Sequence, residues 1–189
     1  MGAPSEVSLT ETELVARILA GEKECYAILV RRYQAALYRH ALGMVGSEDS
    51  AADLTQESFI TAYTRLNSCR DPSRFGPWVF RILRNRCLDY LKNRRRLTVP
   101  LEENTAFAPG SGDPGTELER TELRRAVLVA LRTLPEPQRE AFLLKHVDGR
   151  SYEEMSEVLG ASVSALKMRV MRAREALQNL LTAHASHPV

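Results

Sequence analysis

Hydrophobic residues recur at helical spacing through most of this 189-residue chain. Apolar side chains three or four positions apart lie on one face of a helix, and that face is then buried. The pattern predicts helices that begin near Thr10, Lys23, Ser47, Phe75 and Thr116. Every element predicted in this way is a helix, so we predict an all-α fold.

A helix-turn-helix is predicted after residue 150. Ser151 and Glu154 have the spacing of a capping box, which starts a helix. Gly160 can end that helix in the left-handed conformation, and Ser162 can cap the next one. The apolar face of the second helix, which must be buried, carries Val163, Leu166, Val170, Ala173 and Leu177.

The rest of this second helix combines hydroxyl, thioether and charged side chains. They are Ser164, Lys167, Met168, Arg169, Met171, Arg172, Arg174 and Glu175. Such groups can reach base edges, thymine methyls and phosphates in a major groove. The alternative is an ordinary surface helix whose methionines fill a core. We favour DNA reading, because cap, hinge, apolar face and basic face agree.

Charge is segregated along the chain more strongly than the net charge of +2 indicates. Residues 1–96 hold 15 basic and 11 acidic side chains, residues 97–119 hold none and 5, and residues 120–189 hold 11 and 8. We predict two small helical domains, at 1–97 and 120–189. A flexible acidic linker at 98–119, rich in proline and glycine, joins them.

Two further stretches of the first domain have patterns typical of contact surfaces. Seven basic residues against one acid lie between Arg81 and Arg96, a density that favours binding to a phosphate backbone. In the preceding predicted helix, Ile60 lies among carboxylates on the face opposite the apolar one. The alternative for that face is ordinary solvent exposure with one stray apolar residue. We assign Trp78 to the core.

Composition excludes several classes of protein. Three scattered cysteines without paired ligand spacing argue against a disulfide framework and against a metal site, and we predict no cofactor. No apolar run has membrane-spanning length and no signal peptide is visible, so we predict a cytoplasmic protein without membrane insertion. The chain has no phosphate loop, paired metal-binding acids or nucleophile with its base, which argues against an enzyme.

Four stretches in order carry a resemblance to a known family. They are 53–59 (DLTQESF), 78–85 (WVFRILRN), 134–140 (LPEPQRE) and 151–155 (SYEEM), followed by the second helix of the predicted helix-turn-helix. Over roughly residues 11–182 the chain resembles the extracytoplasmic-function sigma factors of bacterial RNA polymerase. The resemblance implies a promoter-specificity subunit that binds core polymerase, recognises the -10 and -35 promoter elements and helps to open the duplex in transcription initiation.

The resemblance also implies roles for individual residues. Those matching the polymerase-binding helix are Asp53, Gln56, Glu57 and Ile60. Those matching the -10-binding surface are Asn67, Ser68, Cys69 and Arg70, in a loop that forms a pocket for a flipped base, together with Arg81, Arg84, Asn85 and Lys92. Those matching the -35 reader are Lys167, Met168, Met171 and Arg172, with Ser164, Arg169 and Arg174 as phosphate contacts. Cys69 and Met168 depart from residues common in the family, so neither the flipped base nor the -35 sequence is predicted.

The resemblance also implies a role for the linker and a regulatory partner, and one rival function remains. The family threads its linker through the RNA exit path of the polymerase, where the five carboxylates of residues 98–119 could mimic nascent RNA. The resemblance also implies an anti-sigma factor as a partner, whose identity the sequence does not indicate. The rival is a stand-alone helix-turn-helix repressor or activator, which would leave the basic block and the carboxylate face of the first domain without a function.

Overall fold

The structure is a computed structural model that describes residues 9–96 and 125–185. Within these ranges all regular elements are helical, which confirms the predicted all-α class. The helices are α1 (Glu11–Leu19), α2 (Tyr26–Val45), α3 (Glu48–Thr64), α4 (Phe75–Arg96), α5 (125–133), α6 (Glu136–Phe142), α7 (Tyr152–Leu159) and α8 (Val163–Ala185). None of the helices in the described ranges is long and apolar enough to cross a membrane. The predicted linker and the predicted helix start at Thr116 lie outside the described residues.

Local capping signals explain where several of these helices begin and end. The hydroxyl of Thr10 accepts a hydrogen bond from the Glu13 amide at 3.2 Å, and the Glu13 carboxylate accepts one from the Thr10 amide at 2.7 Å. The same reciprocal box opens α7 at Ser151. Gly160 ends α7 with a φ of 62°, a left-handed conformation that glycine adopts without a Cβ penalty. These short-range predictions are confirmed.

Residues 9–96, which we call the N-terminal unit, form a helical bundle. In it α2 packs against α3 and α4, and α1 packs against α2. Its interior is filled by fully buried side chains, namely Leu14, Leu29, Leu37, Met44, Phe75, Phe80 and Leu83. The bundle holds α3 and α4 side by side, so their outward faces lie on one small scaffold.

Residues 125–185, which we call the C-terminal unit, contain the predicted helix-turn-helix. Here α6 and α7 both pack against α8, and a π-helical turn, Leu143–Val147, connects α6 towards α7. Leu143, Leu144, Met155 and Leu166 are almost completely buried. The core therefore fixes the orientation of α8.

The two units also pack against each other, which the sequence did not indicate. α4 contacts α7, and α2 contacts both α6 and the π-helical turn. One continuous hydrophobic cluster runs through both units. At the centre of the contact, His40 Nδ1 lies 2.8 Å from Asp148 Oδ2, and both side chains are buried.

Candidate protein- and nucleic-acid-binding surfaces

The outward face of α3 carries acidic, amide and apolar side chains together. Asp53, Gln56 and Glu57 are exposed there, and Ile60 is 57% exposed. The opposite face is buried through Leu54, Phe59 and Ala62. Two polar residues, Thr55 and Ser58, are also buried on that side. Their hydroxyl groups donate hydrogen bonds to the backbone carbonyls one turn back, at 2.7 and 2.6 Å. The four residues predicted for this helix therefore share one exposed face.

One basic residue of α4 is used to hold α3 rather than left for a ligand. Arg86 forms an ion pair with Glu57, and its Nη2 donates to Thr61 Oγ1 at 2.6 Å. Arg86 is one of the seven basic residues between Arg81 and Arg96 whose density favoured binding to a phosphate backbone. Its place in the fold shows that this block also has an internal role, because Arg86 orients a carboxylate of the α3 face.

The segment between α3 and α4 forms a wall of a cavity. It consists of two 3-10 turns, Leu66–Ser68 and Pro72–Arg74, and Asp71 caps the second by accepting from the Ser73 amide at 3.0 Å. The cavity has a volume of about 410 Å³ and is lined by Ser68, Cys69, Arg70, Asp71, Arg74, Pro77, Trp78, Arg81 and Glu157. Of the residues predicted for the -10 surface, the loop residues Ser68, Cys69 and Arg70 and the α4 residue Arg81 line this cavity, whereas Asn67 is exposed outside the lining.

Trp78 and Cys69 both lie where the core meets the cavity. Trp78 packs against the core, as predicted, but it is only half-buried and it also lines the cavity. Composition alone could not separate these two roles.

Burial raises the pKa of the Cys69 thiol, and burial raises the pKa of Cys87 to about 12. Both shifts favour the neutral thiol over the reactive thiolate.

The basic face of α4 is divided between solvent and the C-terminal unit. Asn85 and Lys92 are exposed, as expected for a surface that binds DNA. Arg84 is different, since its Nε lies 2.7 Å from Glu140 Oε1 and its side chain is only 26% exposed. Burial raises the pKa of the Glu140 carboxyl, although the neighbouring Arg84 opposes this effect. Sequence reasoning placed Glu140 in a family motif but gave no sign that it reaches α4.

The exposed face of α8 matches the pattern predicted from the sequence. Ser162 caps the helix by accepting from the Ala165 amide at 3.3 Å. Met168 and Met171 are 45% and 47% exposed, so the alternative that these methionines fill a core is wrong. Exposed polar neighbours on this helix are Ser164, Lys167, Arg172 and Arg174, while Arg169 is half-buried. Exposed thioethers among cations leave this face suited to contact with a partner.

Among the described residues, no group of three or more histidine, cysteine, aspartate or glutamate side chains is arranged to hold a metal ion.

Comparison with known families matches two parts of the chain. Residues 29–97 match sigma-70 region 2, and residues 124–177 match sigma-70 region 4. The chain is 34% identical to the ECF RNA polymerase sigma-E factor of Haemophilus influenzae, over 90% of this chain and 95% of that protein. It is also 34% identical to the ECF RNA polymerase sigma-E factor of Escherichia coli, over 90% and 94% of the two chains.

Solved structures give the same result for the fold. CnrH, in complex with the cytosolic domain of CnrY, superposes with a TM-score of 0.70 at 32% identity, covering 90% of this chain and 96% of CnrH. The sigma factor RpoE of Bartonella quintana, in complex with the anti-sigma factor NepR, gives 0.67 at 30% identity, covering 81% and 94%.

Proposed function

Because the chain belongs to the extracytoplasmic-function sigma factors, it binds core RNA polymerase and directs promoter-specific transcription initiation, and we propose that it does so through three separate surfaces. One surface would bind the polymerase, one the -10 element and one the -35 element. A single observation supports this division. The proposed residues fall on three faces, on α3, on α4 with its preceding turns, and on α8, whose opposite sides are buried.

The polymerase surface is the α3 face of Asp53, Gln56, Glu57 and Ile60. An apolar side chain exposed among carboxylates suits a partner surface that offers a hydrophobic contact ringed by basic groups. The ion pair of Arg86 with Glu57 supports this role, because it orders a carboxylate before the partner arrives.

The -10 surface combines the cavity beside Cys69 with the exposed part of α4. Flipping a base costs a few kcal/mol of stacking, so a pocket that accepts one base can couple recognition to melting. Trp78, at the wall of the cavity, offers an aromatic face for stacking, and Arg70 and Arg81 offer charge for the backbone. Asn85 and Lys92 would continue the contact along α4, and Arg84 would join them when it is released from Glu140. Asn67 would contact the strand beside the cavity.

The -35 surface is the exposed face of α8. Lys167, Met168, Met171 and Arg172 would read base edges and thymine methyls, and Ser164, Arg169 and Arg174 would hold phosphates. Base contacts specify the site, whereas phosphate contacts set the register. The α8 helix would therefore place the polymerase, and the α4 region would open the DNA.

The remaining parts of the proposal concern the whole chain. We place region 2 in residues 1–97 and region 4 in residues 120–189, joined by an acidic linker at 98–119 that passes through the RNA exit path. The protein would act in the cytoplasm, by binding alone and without a catalytic step of its own.

If Glu102, Glu103 and Asp113 of the linker mimic RNA, reversing their charge will change the rate of open-complex formation or of promoter escape. Unchanged rates would contradict this role.

An anti-sigma factor is the proposed regulator. Two solved relatives are bound to another protein, CnrY in one case and the anti-sigma factor NepR in the other. We expect a cognate protein that binds this chain and abolishes transcription from its promoters. Constant activity of the chain under every growth condition would argue against such control.

The direct test of the proposed function is run-off transcription. The purified chain is mixed with core polymerase and a genomic fragment library, and start sites are mapped. We expect initiation at a small set of promoters that share -10 and -35 sequences. No specific initiation, with no activator able to restore it, would contradict the proposal.

Arg172→Ala tests the α8 assignment separately. Loss of a base contact costs about 1–3 kcal/mol, so transcription from promoters with a -35 element should fall roughly fivefold to 160-fold while core binding is unchanged. Arg39→Ala, at an exposed arginine of α2 outside the three surfaces, is the matched control. Loss of core binding in Arg172→Ala would mean that this face contacts the polymerase instead.

A further inference from the structure

The π-helical turn, Leu143–Val147, places a lysine beside one flank of α8. Lys145 Nζ lies 4.7 Å from the centroid of the Tyr152 ring, and Lys167 Nζ, from α8, lies 5.6 Å from the same centroid. A cation over an aromatic ring is attracted by the negative face of the ring. Tyr152, at the start of α7, therefore brings one ammonium group of the turn close to one of α8.

His146, the next residue of the turn, borders the same flank of α8. The side chain is exposed, and its ring packs on Phe142 with the ring centroids 4.8 Å apart. Arg174 of α8 acts on this ring electrostatically. Lys167 and Arg174 are seven positions apart, which is almost two helical turns, so they lie on the same side of α8. The turn therefore borders α8 at both of these cations.

Three cations and a histidine thus share one flank of α8. In the part of the chain that the structure describes, the ion pairs include neither Lys145 nor Lys167 nor Arg174. The Lys145 ammonium donates to the Arg150 carbonyl at 3.3 Å, which uses one of its three N–H donors. Clustered cations without acidic partners are typical of a surface that binds a phosphate backbone.

We propose that the -35 surface continues from α8 onto the π-helical turn, where Lys145 and protonated His146 bind the phosphate backbone of the DNA and Tyr152 positions the two lysines. The proposal rests on the proposed function of α8 and adds residues outside the recognition helix. Binding to the -35 element then takes up a proton at His146. Phosphate contacts fix the register of a protein on the duplex, so the turn helps to set where the base-reading side chains of α8 lie.

The protonation state of His146 in the free chain makes this proton uptake measurable. Burial lowers the pKa of His146 below its ordinary value of 6.5, and the cations Arg174 and Lys145 lower the pKa as well. Of the described elements at the ring, α8 contributes Arg174, the turn contributes Lys145, and α6 contributes the uncharged Phe142. The ring is therefore neutral at pH 7 before DNA binds.

A DNA phosphate reverses this balance, because a negative charge beside the ring favours the imidazolium and raises its pKa. The sign of the pH effect follows. Affinity for DNA should rise as the pH falls through the pKa of His146 in the complex, and it should level off below the pKa of the free chain.

Substitutions in the full chain separate the two charges of the turn. Lys145→Gln removes the charge but keeps a donor for the Arg150 carbonyl. His146→Gln keeps a polar side chain that cannot be protonated, whereas His146→Arg supplies a permanent cation. Lys23→Gln, at an exposed lysine of the N-terminal unit, is the control for a positive charge lost elsewhere.

Binding is measured by fluorescence anisotropy with a labelled duplex that carries the -35 element of a mapped promoter, and with a scrambled duplex. Each phosphate contact contributes about 0.9 to the slope of log affinity against log salt concentration. Lys145→Gln should therefore weaken binding and lower this slope by about one. Lys23→Gln should bind as the parent chain does.

The same titrations between about pH 5 and 8, where histidine changes its charge, test His146. The parent should gain affinity as the pH falls, by at most about tenfold per pH unit for the uptake of one proton. The gain should be smaller in His146→Gln, and this difference isolates His146 because the other titratable groups are common to both chains. His146→Arg should bind tightly throughout this range.

Two variants test Tyr152 as a positioning residue. Tyr152→Phe keeps the ring and should match the parent in affinity and in salt slope. Tyr152→Leu keeps an apolar side chain but removes the ring, so both lysines lose their aromatic contact, and affinity and salt slope should both fall. A purely structural role would lower the urea midpoint of Tyr152→Leu and leave its salt slope unchanged. If Tyr152→Leu does not fold, as judged by circular dichroism, the Lys145 and His146 variants decide alone.

An unchanged salt slope in Lys145→Gln or in folded Tyr152→Leu would overturn the proposal. A pH profile of His146→Gln that follows the profile of the parent would overturn it as well. Arg172→Ala distinguishes these results from failure of the proposed function. If Arg172→Ala loses affinity for the -35 duplex while the variants of the turn do not, the extension fails and the assignment of α8 stands. If Arg172→Ala also binds as the parent does, the assignment of α8 fails, and the extension fails with it.

Discussion

His40→Ala is the sharpest test of what holds the two units together. The substitution removes the ring nitrogen that lies 2.8 Å from Asp148 Oδ2. The other carboxylate oxygen of Asp148, Oδ1, is buried and makes no hydrogen bond with the protein. The variant would therefore bury a carboxylate with no partner. Removing one member of a buried pair costs about 3–5 kcal/mol, a large part of the 5–15 kcal/mol that stabilises a typical domain.

The position of Asp148 determines how this cost should appear. Its carboxylate lies between the units, so it can regain water if the units separate while each stays folded. The loss is then limited to the free energy of docking. We expect His40→Ala to undock the units rather than to unfold the chain.

Urea titration with two probes distinguishes these outcomes. Trp78, the only tryptophan, shares a cavity with Glu157 of the C-terminal unit and reports docking, while far-ultraviolet circular dichroism reports helix content. With a denaturant slope of about 1–3 kcal/mol per molar, a loss of about 3 kcal/mol moves a midpoint by roughly 1–3 M. The Trp78 transition of His40→Ala should fall by this amount and the helix transition by less.

Two controls accompany the titration. His40→Asn keeps a donor near the position of Nδ1 and should retain part of the docking. The double variant His40→Leu and Asp148→Leu removes both polar groups and should lie close to the parent, because no charge is left unpaired. Equal shifts of both probes in His40→Ala would refute the reasoning, since the pair would then support the fold of a unit itself. No shift at all would refute it as well.

Three further predictions concern separate parts of the molecule. Ile60→Asp should weaken core-polymerase binding by about 2 kcal/mol or more in a pull-down titration, because a charge replaces the apolar contact that we propose for this side chain. Unchanged affinity would exclude α3 from the interface. Cys87 should not react with a thiol reagent at pH 8 until denaturant is added, because burial raises its pKa to about 12; rapid labelling of the native chain would contradict this. Ser151→Ala should cost about 1 kcal/mol in urea unfolding at pH 7. Burial raises the pKa of Glu154, but hydrogen bonds from Ser151 and Arg150 outweigh it and leave the pKa below its ordinary value of 4.5. The stabilisation from the capping box of Ser151 and Glu154 is therefore fully present above pH 4.5 and is lost as the pH falls through the lower pKa of Glu154 in the folded chain. The cost of Ser151→Ala should therefore shrink in acid.

The helix boundaries could be predicted because their causes are local. The box of Ser151 with Glu154 spans three residues, and Gly160 ends α7 through its own backbone conformation. The exposure of Met171 followed from helical periodicity in the same way, since the apolar stripe of α8 already filled its buried face. Such features depend on neighbours that the sequence places side by side.

The docking of the two units could not be predicted because its partners are far apart in the chain. His40 and Asp148 are separated by 108 positions. Each appears in the sequence as an unremarkable polar residue, and only the packing of α2 against the π-helical turn makes them a pair. Arg86 is a similar case, since its partner Glu57 is 29 positions away. A basic residue was therefore counted towards DNA binding although the fold uses it internally.

The contacts between the two units differ in their sensitivity to salt. Salt weakens a partly exposed ion pair such as that of Arg84 with Glu140. The buried pair of His40 with Asp148 and the bond from Arg139 to the Met44 carbonyl are screened far less. Docking of the units therefore depends mainly on the buried contacts, which is why His40→Ala tests it more directly than a change of ionic strength.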